Sequence, residues 1–210
     1  VRADKARGRY RLVLKNISSK SIVALRVKGG LTSGSLAGPL IAPAQVYTIE
    51  FSDSVWNHSK DRGPSEEEQP KIVIADVVFA DWTFEGEKEF AIKVAATKRG
   101  TRIQWVRVVA LLQAAMEGLE RDSQSVLDNL RQQISTFSEE AEGPVVDEVA
   151  RYFMPLTEKQ RASLIYELKD SLKSEKLFSI SRLKYYEAEE ASKGRSRESW
   201  LNFLEKNYDE

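Results

Sequence analysis

Residues 71–100 read KIVIADVVFADWTFEGEKEFAIKVAATKRG, and the change of character inside them decides the fold class. Lys71 to Phe79 is apolar on both faces, the pattern of a central strand covered on both sides, and Thr83 to Glu85 follows as the returning strand. From Glu87 the period changes, and Phe90, Ala91, Val94 and Ala95 fall on one face of a short helix. Gly100 ends that helix in this reading, and Thr101 serves as N-cap of the next. Upstream, β-branched alternating segments are separated by Gly, Pro, Ser and Asn clusters; downstream, helix formers recur at 3-4 spacing with just two prolines, Pro144 and Pro155. The expectation is a segregated α+β chain: a β-sandwich over 1–86, a bridge over 87–100 and a helical region over 101–210.

Working toward the N-terminus, Tyr10, Leu12 and Leu14 alternate with Arg9, Arg11, Val13 and Lys15, as in a half-buried strand. Asn16 to Ser21 is turn chemistry, and Val23, Leu25 and Val27 alternate again, which predicts a hairpin. Gly29 to Pro43 holds four glycines and two prolines and reads as a loop crossing between sheets. Tyr47, Ile49 and Phe51 form the next inward row, and the polar segment Ser52 to Pro70 is too long for a tight turn. No helix of crossover length separates these strands, so the sheet order expected is antiparallel.

Working toward the C-terminus, apolar positions from Val109 to Ile134 repeat at 3-4 spacing, which predicts one helix over Thr101 to Phe137, about 55 Å long. Gly143-Pro144 opens a short helix with Val146, Val149, Ala150 and Phe153 on one face. Thr157 with Gln160 fits a capping box ahead of Leu164, Ile165, Leu168 and Leu172. Leu177, Phe178, Ile180, Leu183 and Tyr186 form another stripe, and Gly194 precedes a last one with Trp200, Leu201, Phe203 and Leu204. Together these predict a C-terminal helical bundle.

The 210 residues contain no Cys and a single His, His58. Disulfides, thiolate nucleophiles, Cys-ligated metals and His-cluster metal sites are therefore excluded, and no cofactor is implied. With 32 Lys+Arg against 32 Asp+Glu the formal charge is zero, which argues against a nucleic-acid footprint spread over the whole protein. No apolar run approaches the roughly 20 residues of a transmembrane helix. Nucleotide loops and nucleophile elbows are absent.

The runs Leu12-Val13-Leu14-Lys15-Asn16-Ile17-Ser18-Ser19-Lys20-Ser21-Ile22 and Leu40 to Phe51 resemble the small immunoglobulin-like domains of exported bacterial proteins. The resemblance covers about the first 85 residues and departs at Ala44, where such domains usually carry Gly. It implies an immunoglobulin-like sandwich and a periplasmic or extracellular location, and brings no catalytic residues with it.

Carboxylates are the abundant chemical material. Asp76, Asp81 and Glu85 surround one expected hairpin, where a pair of them at suitable separation would act as general acid and base, as in glycoside hydrolysis. A strand-turn Asp is explained equally by local backbone hydrogen bonds. Asp81-Trp82 is a poor two-residue turn, since positive φ is costly for Trp; a longer turn, or Trp82 opening the next strand, is expected. An exposed Trp82 would anchor a partner or a sugar ring, whereas packing against Phe90 or Trp105 would make it structural. Trp56, His58 and Arg62 lie on the long loop with Asn57, Lys60 and Asp61, the best place for a contact surface, unless Trp56 plugs the sandwich. Arg2, Lys5, Arg7, Arg9 and Arg11 read as a solvated terminus running into a strand. Asn16-Ile17-Ser18 and Asn57-His58-Ser59 match the glycan acceptor pattern. The reading favoured is a non-enzymatic interaction or scaffold protein with a protein partner or a second copy of itself. The alternative is a carbohydrate-binding module or carboxylate-based hydrolase built on Trp56, Trp82, Asp76 and Asp81.

Overall fold

A computed structural model describes residues 2–6, 9–29, 32–36, 41–52, 72–117 and 123–193. The chain divides into two compact units, Val1–Val94 and Ala95–Glu210. The division falls within the stretch expected to bridge the β and α regions.

The first unit holds two antiparallel sheets. Strands β1 (Arg2–Ala6), β2 (Arg9–Lys15) and β5 (Val46–Ser52) form one, in the order β1-β2-β5. Strands β3 (Ile22–Gly29), β4 (Thr32–Leu36), β6 (Ile72–Phe79) and β7 (Phe84–Glu85) form the other, in the order β4-β3-β6-β7. β6 is a central strand with a paired neighbour on each side, and β7 is the returning strand, but the cover expected on both faces is incomplete: Val73 and Ile74 are exposed.

Three strand-level expectations change. β2 and β3 are not a hairpin: they belong to different sheets, and 16–21 carries the chain between them. The cause is Asn16, 3% exposed, whose Nδ2 donates to Lys20 O at 2.8 Å and to Ile41 O at 2.9 Å while its Oδ1 accepts from Ser18 N and Oγ. With both amide hydrogens committed, Asn16 is closed to a glycan. Next, Gly29 to Pro43 is not all loop, because β4 pairs there with β3. Finally, the basic N-terminus is a paired strand, with Arg2 opposite Val13 and Ala6 opposite Arg9.

Leu12 and Leu14 of one sheet and Leu25 and Val27 of the other share a buried cluster with Ile41, and Ile22 and Tyr47 pack against it. Strand alternation puts Ala24, Arg26, Asp76 and Val78 on the opposite face of the second sheet. Register slips between Arg26 and Val27, a bulge that leaves Ala75 without a partner on β3 beside Asp76.

Helix α1 (Lys88–Glu117) begins in the first unit and continues into the second. It runs straight through Gly100, which was expected to end a helix. A Cβ at Gly100 would collide with Ser171 Oγ and approach Leu168 O, so the glycine serves a close helix crossing. The single helix expected over 101–137 is divided between α1 and α2 (Ser123–Ser135). Helix α3 (Gly143–Arg151) has Pro144 in its first turn, as read, and its N-cap is Glu142. The longest helix among the described residues is α4 (Glu158–Lys193), whose 36 residues rise about 54 Å and absorb both stripes expected there. Its capping box is formed: Gln160 N donates to Thr157 Oγ1 at 3.2 Å, and Thr157 N to Gln160 Oε1 at 3.1 Å. The stripe beyond Gly194, with Trp200, lies outside the described residues.

One buried cluster of the second unit joins Val108 and Leu112 of α1, Leu127, Leu130 and Ile134 of α2, and Leu183 of α4. Val146, Val149, Ala150, Phe153, Leu164, Leu168 and Leu172 are buried as well. Gln104, fully buried in α1, donates through Nε2 to Leu172 O at 3.1 Å and Ser138 O at 3.3 Å, so its amide reaches two segments far away in sequence.

Candidate functional site

Trp56, His58 and Arg62 lie outside the described residues. Asp81 and Trp82 sit together at the β6–β7 tip, which is a three-residue loop, Ala80-Asp81-Trp82. Trp82 N donates to Phe79 O, and Phe79 N to Thr83 O, each at 2.9 Å. Trp82 has φ +65°, the left-handed conformation that such a loop needs at its last position and that usually belongs to Gly. The longer turn expected is therefore present, and Trp82 ends the loop rather than opening β7.

Asp81 holds the tip rigidly. Its Oδ1 accepts from Thr83 N at 3.1 Å and Thr83 Oγ1 at 2.6 Å, and its Oδ2 pairs with Lys20 Nζ at 2.7 Å. The hydrogen bond from Lys20, with Thr83 beside it, pulls the carboxyl down to about 2. Lys20 Nζ also donates to Thr83 Oγ1 and lies 5.8 Å from the Phe79 ring centroid. Trp82 is half-buried.

Asp76 has different partners. It is 2% exposed in the middle of β6, where a lone carboxylate would be costly. Arg26 Nε donates to its Oδ2 and Glu87 N to its Oδ1, both at 2.5 Å. Burial pushes this carboxyl up, but Arg26 and the Glu87 N–H outweigh it and hold it below the ordinary Asp range. Arg26 reaches Glu87 Oε2 at 2.6 Å, and its guanidinium carbon lies 5.0 Å from the Phe90 ring centroid. Gly86, at φ +100°, leaves no space for a Cβ against Asp76 Oδ1 and Ala75 O. Asp76 thus fastens the N-terminus of α1 to the second sheet. Glu85 is exposed on β7 opposite Val77. Among the described residues no three His, Asp or Glu side chains converge to hold a metal ion.

The second unit presents a different surface, which sequence reading treated as core stripe. Arg182 of α4 lies with its guanidinium carbon 4.5 Å from the Phe178 ring centroid and 5.9 Å from that of Trp105 on α1, within cation–π range of both. Beside them is a cavity of about 20 Å³ lined by Trp105, Val108, Leu112, Ile134, Ser179 and Leu183 along with Arg182. That is space for about one water-sized or methyl-sized group, and the walls are almost wholly apolar. Phe178, against Arg182, is 51% exposed, and Tyr185, one turn further on the same face of α4, is 72% exposed. The signal available in sequence was the stripe's excess width: Leu177 and Phe178 are adjacent, and adjacent helical residues point about 100° apart, so both cannot face one core.

No helix among the described residues is long and apolar enough to cross a membrane. Comparison of the chain with protein-family models, curated proteins and solved structures finds no significant match.

Proposed function

We propose that this chain is a non-enzymatic protein-interaction or scaffold protein, an immunoglobulin-like sandwich joined to helices, working as an exported bacterial subunit or adaptor. Export and the immunoglobulin-like type rest on the resemblance of residues 12–22 and 40–51. The observation that carries the interaction reading is one face of α4, where exposed Phe178 and Tyr185 flank half-buried Arg182 at i, i+4 and i+7 and Arg182 lies over Trp105 beside a small apolar cavity. Aromatic and Arg side chains around an apolar pocket are the groups that dominate binding energy at protein interfaces. The occupied state of the carboxylates supports the same reading: Asp76 and Asp81 are each tied to a cation and a backbone N–H, which leaves them poorly placed to exchange protons with a substrate.

The test is a photo-crosslinking amino acid placed at exposed Tyr185 in the full chain and activated in its native host. A discrete protein adduct that is lost when the probe is moved to exposed Lys159, near the start of α4, is the expected result. Equal or absent adducts at the two positions would overturn the reading.

A further inference from the structure

Helix α2 is held differently from the two helices it packs on. α1 and α4 meet closely at Gly100 and Ser171, and Gln104 of α1 donates to Leu172 O of α4 at 3.1 Å, neutral contacts that salt leaves alone. α2 has 13 residues, a length at which an isolated helix is marginal in water, so its helicity depends on its seat. There Leu127, Leu130 and Ile134 join Val108 and Leu112 of α1 and Leu183 of α4. Ionic groups supply further ties to α4. Arg131 donates to Glu187 Oε2 at 2.7 Å. At the C-terminal end Lys176 of α4, its side chain 13% exposed, donates through Nζ to Ser135 O and Phe137 O, each at 3.3 Å, and pairs with Glu139. A cation in that place serves carbonyls that have no partner within a helix. Its hydrogen bond holds the Glu139 carboxyl below its ordinary range. Ser138, between Phe137 and Glu139, is fixed to α1 instead, its O accepting from Arg107 at 3.2 Å and Gln104 Nε2 at 3.3 Å. Beyond it Glu140 pairs with Lys169.

We infer that α2 is a salt-sensitive flap: Lys176 latches its C-terminal end to α4, Ser138 is the pivot, and release lifts α2 off Val108, Leu112 and Leu183 while α1 and α4 stay paired. Ties between partly exposed charges weaken as salt rises, whereas apolar burial and the neutral contacts of α1 with α4 do not. Opening bares the apolar side chains between α1 and α4, so ionic conditions set how much apolar surface the second unit offers. This behaviour is independent of what binds the outer face of α4, and loss of the crosslink at Tyr185 leaves it standing.

Hydrogen exchange read by mass spectrometry on the full chain tests this, because local opening and global unfolding expose different sets of amides. At pH 7 and 50 mM sodium chloride, peptides within 123–137 should exchange at least tenfold faster than peptides within 160–172. At 500 mM the rate of 123–137 should rise at least threefold further while that of 160–172 changes less than twofold. Lys176→Met, which keeps the side-chain length and removes the charge, should raise the rate of 123–137 at least tenfold at 50 mM; Lys169→Met, on the fixed side of the pivot, should change it less than twofold. If Lys176→Met loses its helicity by circular dichroism, Glu139→Gln carries the test, with a rise of at least threefold expected. Equal rates and equal salt responses in the two regions would make α2 part of one cooperative unit and overturn the inference. So would an α2 rate indifferent to salt or to loss of the Lys176–Glu139 pair, or one raised as much by Lys169→Met.

Discussion

Ala44 and Trp82 are the non-glycine residues with positive φ among those described, at +63° and +65°. Ala44 is the third residue of the turn Ala42-Pro43-Ala44-Gln45, closed by Gln45 N donating to Ala42 O at 3.1 Å, with Pro at the second position and a left-handed third. It is exposed and has only a methyl group to lose. Ala44→Gly should therefore raise stability by about 1 kcal/mol, read from urea unfolding monitored by Trp fluorescence. Trp82 combines strain with partial burial, so the informative comparison is between two truncations. Trp82→Gly and Trp82→Ala both lose the ring, but Ala alone keeps the left-handed penalty, and the Gly variant should be the more stable by about 1 kcal/mol. The sequence pattern made the longer turn legible, because Asp-Trp cannot close a two-residue turn cheaply, but it argued against the positive φ that Trp82 nevertheless adopts. What it lacked was Lys20: the cation that fixes Asp81 lies in another segment, far from it in sequence.

At the scale of elements, the strands were legible and their pairing was not. Alternation announced β2 and β3, but Asn16 to Ser21 has the same composition whether the chain turns back in one sheet or crosses to another. The decision lies with hydrogen bonds from Asn16 to Ile41, which no local window contains. Gly100 was misread for a related reason. In a sequence a glycine after a helical stripe signals a C-cap, whereas here it is the contact point of two helices whose meeting residues are Gly100 and Ser171. Helix propensity alone would make Gly100→Ala stabilising by about 1 kcal/mol. The collision with Ser171 and Leu168 reverses the sign: the variant should lower the urea midpoint, and adding Ser171→Ala should recover part of the loss. Asp76 was legible as a charge in an apolar strand, a residue type that is almost never fully buried without a partner. Its cation, Arg26, sits directly across on β3. Asp76→Ala should cost about 3 kcal/mol or more, because Arg26 and the Glu87 N–H would both lose their acceptor.

For the molecule as a whole, the zero net charge conceals ion pairs that fix each unit. The ion pairs set the response to acid. Asp76 and Asp81 have folded pKa values below the unfolded value of about 3.9, and Glu87 and Glu139 are also lowered. The stability these groups contribute is fully present above their unfolded values and is lost as pH falls through the folded ones, toward about 2 for Asp81. Circular dichroism should show the protein intact at pH 5 and losing structure between about pH 4 and 2. Asp81→Asn should make that decline shallower and lower stability at pH 7.

The two units are joined by one covalent path, and it runs along α1. Tension applied between the chain ends must enter the sheet at Glu87, where Asp76 grips the backbone N–H and Arg26 grips Asp76. A buried carboxylate thus stands where a mechanical clamp would be put. In a single-molecule pulling trace, Asp76→Asn should lower the force at which the β unit yields while leaving the extension released by the helices unchanged.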